Sequence, residues 1–181
     1  MGIDPGLANT GFGVVQVAGS KTAALDAGVI EVPPGEPLEL RLTRIHASMC
    51  ELLDWHEPEA VALEELYFGK NVRSAMAVGQ ARGVIMLAAA ERGLRCFDYT
   101  PQAVKKSVCG SGGAAKDQVQ HMVGTLLGLA TPPESEHAAD ALAVAICHAA
   151  QSPALVAGAE GVGGVGGARP AQSRERGVAL L

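Results

Sequence analysis

The sequence predicts an α/β fold, a mixed five-stranded sheet flanked by helices, and three observations carry that expectation. Short apolar runs at 2–4, 11–17 and 23–32 are separated by turn residues and read as strands. From about residue 38 a helical spacing of apolar residues alternates with two further short runs, at 60–64 and 95–99. Beyond residue 100 the remaining periodic segments are all helical. A chain of 181 residues suits one domain with a single core.

Each element has a local cause. The first strand, Gly2-Ile3-Asp4, ends at Pro5-Gly6, a pair that favours a tight turn. The second and third runs are joined by a turn at 18–21, and Pro33-Pro34-Gly35 closes the group. Leu38, Leu40, Leu42, Ile45, Met49, Leu52 and Leu53 then recur near helical spacing up to Trp55. Residues 60–64 form the fourth strand, and an Ala-rich helical pattern over 72–92 is stopped by Gly93. After the strand at 95–99, helices are expected at 101–108, 115–128 and 135–150. Residues 151–181, rich in Gly, Ala and Pro without periodicity, read as a flexible tail beyond a domain at 1–150.

Composition narrows the function classes. Aromatic residues make up 3% of the chain, so the core rests on Leu, Val, Ile and Ala. No run of 18 apolar residues exists, so no membrane span is expected, and the first residues lack a signal-peptide pattern, which points to the cytoplasm. Four cysteines (Cys50, Cys96, Cys109, Cys147) are scattered without a CxxC pair, the pattern of free thiols rather than of disulfides or a zinc site. The net charge of −5 argues against a polyanionic partner, but its distribution argues for one. Residues 65–120 hold eight bases and four acids, so this segment is +4 and the rest carries −9. Solvated helix faces are the alternative explanation for part of these charges.

Three acids interrupt otherwise apolar elements: Asp4 at the end of the first strand, Glu64 at the end of the fourth, and Asp140 within an Ala-rich helix. Each has an ordinary structural alternative: Asp4 as a cap on the Pro5-Gly6 turn, Glu64 as a surface strand end, Asp140 as a solvent-facing helix residue. Strands one and four can lie side by side with both carboxylates at one end, and a helix over that end adds the third. Buried carboxylates are unfavourable singly but are neutralised around divalent cations, and hard oxygen donors suit Mg²⁺ or Mn²⁺. Glu65 points to the opposite face from Glu64. His137, three residues before Asp140, shares its helical face, and Glu136 competes with it as a fourth ligand.

Five segments carry a resemblance to a known family: Gly2 to Gly13; Leu63-Glu64 followed by Tyr67-Phe68-Gly69-Lys70-Asn71; Gly79-Gln80-Ala81-Arg82-Gly83; Val119-Gln120-His121-Met122-Val123; and Ala138 to Ala145. In this order, across residues 2–150, they closely resemble the RuvC family, bacterial Holliday junction resolvases with a ribonuclease-H-like fold. The resemblance implies a homodimeric, Mg²⁺-dependent endonuclease of the bacterial cytoplasm. It would make paired symmetrical nicks in four-way junction DNA, in homologous recombination and repair, beside the branch-migration proteins RuvA and RuvB. It assigns catalysis and metal binding to Asp4, Glu64 and Asp140, with two Mg²⁺ per site. His137 falls where the family often has Asp, a departure that favours Mn²⁺ as the alternative ion. DNA contacts are implied for Tyr67, Phe68, Lys70, Asn71, Arg73, Lys105, Lys106 and Lys116. An aromatic of the Tyr67-Phe68 pair would stack on an unstacked base, worth ~1–3 kcal/mol, although core packing is the alternative for Phe68. A second departure is that only Met1 precedes the first motif, which predicts a shortened first strand.

The expected chemistry is two-metal phosphodiester hydrolysis, with Asp4 shared between an ion on the Asp140 and His137 side and one on the Glu64 side. Lys116 is expected to help neutralise phosphoryl charge. The helix at 72–92, through Ala75, Ala77, Val78, Ala81, Val84 and Ile85, is the expected self-association surface. Two other classes stay open on sequence: an actin-like or sugar-kinase phosphate-binding segment, which needs a longer chain, and a junction binder without catalysis.

Overall fold

The computed structural model describes residues 1–65 and 72–151, with residues 72–74 described by their backbone alone. Five strands and five helices follow one another as β1 (Gly2–Asp4), β2 (Asn9–Ala18), β3 (Lys21–Glu31), α1 (Leu38–His56), β4 (Ala60–Glu64), α2 (Val72–Ala90), β5 (Arg95–Tyr99), α3 (Pro101–Cys109), α4 (Lys116–Leu127) and α5 (Glu136–Gln151). Every expected element is present. β2 and β3 are longer than their apolar runs because they form one hairpin, paired from Asn9–Glu31 to Ala18–Lys21 with a register shift between Val14 and Val15, through a turn in which Gly19 takes φ of 61°. The expected tail lies outside the described residues from 152 onward, and α5 ends at Gln151.

The sheet order is β3-β2-β1-β4-β5, antiparallel from β3 to β1 and parallel from β1 to β5. Period-two alternation divides the strands between two layers. Ile3, Val61 and Leu63 face one side and pack with Ile45, Met49 and Leu53 of α1 and Ala81, Ile85 and Ala88 of α2. Ala62 faces the other, where Val104 and Val108 of α3, Val123 of α4 and Leu142 of α5 close the second layer. Each fully buried Leu, Ile or Val contributes about 1.5–3 kcal/mol over an exposed one.

α5 is the element that sets the site, and three glycines set α5. A Cβ on Gly2 would lie 2.2 Å from the Ala141 carbonyl oxygen, one on Gly11 2.0 Å from that of His137, and one on Gly13 2.7 Å from the Leu142 nitrogen. These glycines are neighbours by register, since Gly2 pairs with Gly13 and Asp4 with Gly11. The alternating glycines of β2 therefore make a bare backbone floor onto which the Ala-rich helix settles.

Leu38 and Leu40, at the start of α1, are exposed, and the helix buries Ile45, Met49 and Leu53, at the i, i+4, i+8 spacing that one helix face allows. One expectation needs correction. In α2, Ala81 and Ile85 are fully buried in the α1 layer and cannot form a self-association surface. The face of α2 open to a partner instead carries Met76 and Leu87. All four cysteines are free. Among the described residues, no helix is long and apolar enough to cross a membrane.

Candidate active site

Asp4 ends β1 on the α5 side of the sheet, because Ile3 takes the opposite side at 0% exposure. Parallel pairing of Gly2 with Ala62 and Ile3 with Leu63 places Glu64, one residue further, beside Asp4. Alternation turns Glu64 to the Ala62 side, while Glu65 is exposed and its amide bonds the Tyr99 carbonyl at 2.8 Å. The turn after Asp4 is held by buried Thr10, whose hydroxyl donates to the Gly6 carbonyl at 2.6 Å. Thr10 thus does the capping that was the alternative reading of Asp4. The Asp4 carboxylate instead meets His137, with Oδ2 2.8 Å from Nδ1.

α5 contributes His137 and Asp140 from its first turns. A carboxylate only accepts, so Nδ1 of His137 donates to Asp4 and Nε2 is left for another partner. Asp140 lies 3.7 Å from the Lys116 ammonium, which also bonds Glu136 at 2.6 Å. Glu136, the competitor for the fourth ligand position, is therefore engaged with Lys116, and His137 is the residue in contact with Asp4. Lys116 opens α4, whose N-cap, Ala115, makes no side-chain cap bond. A cation there opposes the helix dipole, and the acids facing it offset that disadvantage.

Burial and the charges of Asp4 and Asp140 push the Glu64 carboxyl up to about 7, against the pull of Lys105 and Lys116. Burial and Asp4 likewise raise the Asp140 carboxyl, opposed by Lys116 and His137. The bond to Glu136 raises the Lys116 ammonium and holds the Glu136 carboxyl down. Glu64 and Asp140, both raised by burial beside the charge of Asp4, form with Asp4 and the imidazole at their edge a donor set that a divalent cation relieves. Asp4, Glu64, Asp140 and His137 are the residues that could hold one.

Beside these acids a cavity of about 230 Å³ is lined by Glu64, Asp140, Lys105 and Lys116 together with Pro101, Val104 and Val119. Lys105 is steadied by a 2.8 Å bond to the Ala114 carbonyl. Lys106 is exposed and does not line the cavity, because on α3 it follows Lys105 around the helix while Val104 and Val108 face the core. Carboxylates and ammonium groups lining one cavity, with Lys116 beside Asp140, are an arrangement able to take a phosphodiester together with a metal ion. Tyr67, Phe68, Lys70 and Asn71, with the side chain of Arg73, lie outside the described residues.

One contributor escaped sequence reasoning. Arg82 of α2 donates to the Glu64 carbonyl at 3.0 Å and also pairs with Asp98 of β5, tying down the end of β4. Its signal in the sequence is its place in the Gly79-Gln80-Ala81-Arg82-Gly83 segment, which carries the resemblance but says nothing of the contact with Glu64.

Residues 1–148 match the family model described as crossover junction endodeoxyribonuclease RuvC. A protein of that description from Pelotomaculum thermopropionicum is 51% identical over 149 residues, covering 82% of this chain and 91% of its own. The solved structure of Thermus thermophilus RuvC is similar at a TM-score of 0.76 and 44% identity, covering 82% of this chain and 91% of that one. T. thermophilus RuvC in complex with a Holliday junction substrate is similar at a TM-score of 0.79 and 42% identity, covering 87% and 94%.

Proposed function

Because the chain belongs to the RuvC family of crossover junction endodeoxyribonucleases, we propose that it resolves Holliday junctions by paired, symmetrical nicks. The observation that carries this reading is the convergence of Asp4, Glu64, Asp140 and His137 beside a cavity with two lysines. Asp4, Glu64, Asp140 and His137 would hold two Mg²⁺ per site, with Mn²⁺ as the alternative, and ions there would supply an acidified water and charge neutralisation at the leaving oxygen.

The rest of the chemistry falls to the chain's own groups. Asp4 holds the His137 ring at the edge of the acid cluster through Nδ1. Lys116 and Lys105 offset charge on the phosphodiester as it enters the cavity. Arg82 holds the end of β4 so that the Glu64 carboxylate stays aimed at the same point. Tyr67 or Phe68 stacks on a base opened at the crossover, and Lys70, Asn71, Arg73 and Lys106 track the backbone of the arms.

A homodimer places two such sites on opposing strands of the junction, and two-fold symmetry makes the nicks paired. The protein works on chromosomal DNA in the bacterial cytoplasm, in recombination and repair, beside RuvA and RuvB. The test is incubation of the full chain with a labelled four-way junction and Mg²⁺ or Mn²⁺. Symmetrical nicks in opposing strands support the reading. Junction binding without nicks in either metal favours the non-catalytic binder.

A further inference from the structure

On the opposite face of the sheet from the carboxylates, three different donors converge where α1 meets the end of α2. His46 and Cys50 stand one helical turn apart on α1, and Glu91 follows directly on the last residue of α2. The His46 Nε2 atom lies 3.1 Å from Oε2 of Glu91 and 3.9 Å from Sγ of Cys50. One nitrogen, one sulfur and one oxygen atom thus all fall within 4.8 Å of one another. Around a tetrahedral ion with bond lengths of about 2.0–2.3 Å, such donors stand roughly 3.4–3.6 Å apart. The observed spacings bracket that value.

We propose that His46, Cys50 and Glu91 form a second metal site, distinct from the carboxylate cluster and suited to Zn²⁺. A mixed nitrogen, sulfur and oxygen set selects a borderline ion and discriminates against Mg²⁺, which takes oxygen ligands. The surrounding charge agrees. Arg92 is anchored on both carboxylate oxygens of Asp54, at 2.6 and 2.8 Å, and its Nη1 donates to Cys50 Sγ at 3.2 Å. With Cys50 as thiolate, the negative charges of Cys50, Glu91 and Asp54 against the single positive charge of Arg92 leave −2, which a divalent ion balances. Arg92 and Asp54 then act as outer-shell partners that orient the sulfur. The ion clips α1 to the end of α2, and water completes its coordination.

The test uses the full chain, reduced, titrated with Co²⁺ and then with Zn²⁺. The expected result is a sulfur-to-cobalt charge-transfer band that saturates at one equivalent and is displaced by Zn²⁺. The band should persist in the double variant Asp4→Asn/Glu64→Gln, which separates this site from the proposed nuclease centre. It should vanish in Cys50→Ser and survive replacement of the other three cysteines. Glu91→Gln, at an exposed position where folding is not in question, should weaken Zn²⁺ binding at least ~10-fold, since losing a ligand matters no less than losing an outer-shell partner. No sulfur band in the native chain, a band that survives Cys50→Ser, or unchanged Zn²⁺ affinity in Glu91→Gln overturns the site.

Discussion

Nδ1 of His137 lies 2.8 Å from Oδ2 of Asp4, joining the first turn of α5 to the end of β1. The bond exists because the helix backbone rests on Gly11, the strand partner of Asp4, with no side chain between them. Small residues at the floor of the site, rather than the acids themselves, set how closely the functional groups meet.

Gly11→Ala should therefore damage stability and chemistry together. Its Cβ would lie 2.0 Å from the His137 carbonyl oxygen, backbone that cannot swing aside, so α5 must shift. Overpacking of this kind costs about 1–3 kcal/mol, visible as a lowered melting temperature, and nicking should fall further than stability accounts for. Gly113→Ala is the matched control, since its Cβ would meet nothing nearer than 3.9 Å. Equal losses in the two variants would contradict the close approach of α5.

The acids were legible in the sequence for physical reasons that did not extend to their partners. Asp4 and Glu64 stand out because an acid inside an apolar strand is improbable without a purpose; period two admits only one of Glu64 and Glu65 to the centre, and the family resemblance picks Glu64. Lys116–Glu136, Arg82–Glu64 and the approach of Glu91 to His46 and Cys50 join residues far apart in the chain, and no local pattern encodes such meetings. The exposed face of α2 was hidden for another reason. Small apolar residues surround that helix, so Ala81 and Ile85 look the same in sequence as residues facing outward, and only the position of α1 distinguishes them.

In metal-free protein, the stability of the fold should decline as pH rises through neutrality. Glu64 has its carboxyl at about 7 when folded, against an ordinary value of 4.5, so between these the native state holds more protons than the unfolded chain. Stability then falls with increasing pH, by at most ~3 kcal/mol and by less after solvent screening, because the carboxylate is partly exposed. Asp140, also raised, adds in the same direction. Urea melts in chelator from pH 5 to pH 8 should show this slope flattened in Glu64→Gln. A Glu64→Gln variant with the native slope would show that the carboxyl is not held up.

Leu87→Glu should convert a dimer to monomer. Leu87 and Met76 are 52% and 61% exposed on the open face of α2, an exposure that a second copy would relieve. Losing one buried leucine from each of two symmetric copies removes roughly 3 kcal/mol or more, about a hundredfold or greater rise in dissociation constant. Sedimentation velocity reads this directly. A native chain that is monomeric at micromolar concentration, or a variant that remains dimeric, would count against this face.

The Asp4 carboxylate serves chemistry rather than DNA affinity, and Asp4→Asn tests this with little change in shape. On a labelled four-way junction with Mg²⁺, cleavage should fall below detection while junction affinity, measured without metal, stays within a few-fold of the native chain. Nicking at the native rate, or loss of junction binding together with cleavage, would contradict it.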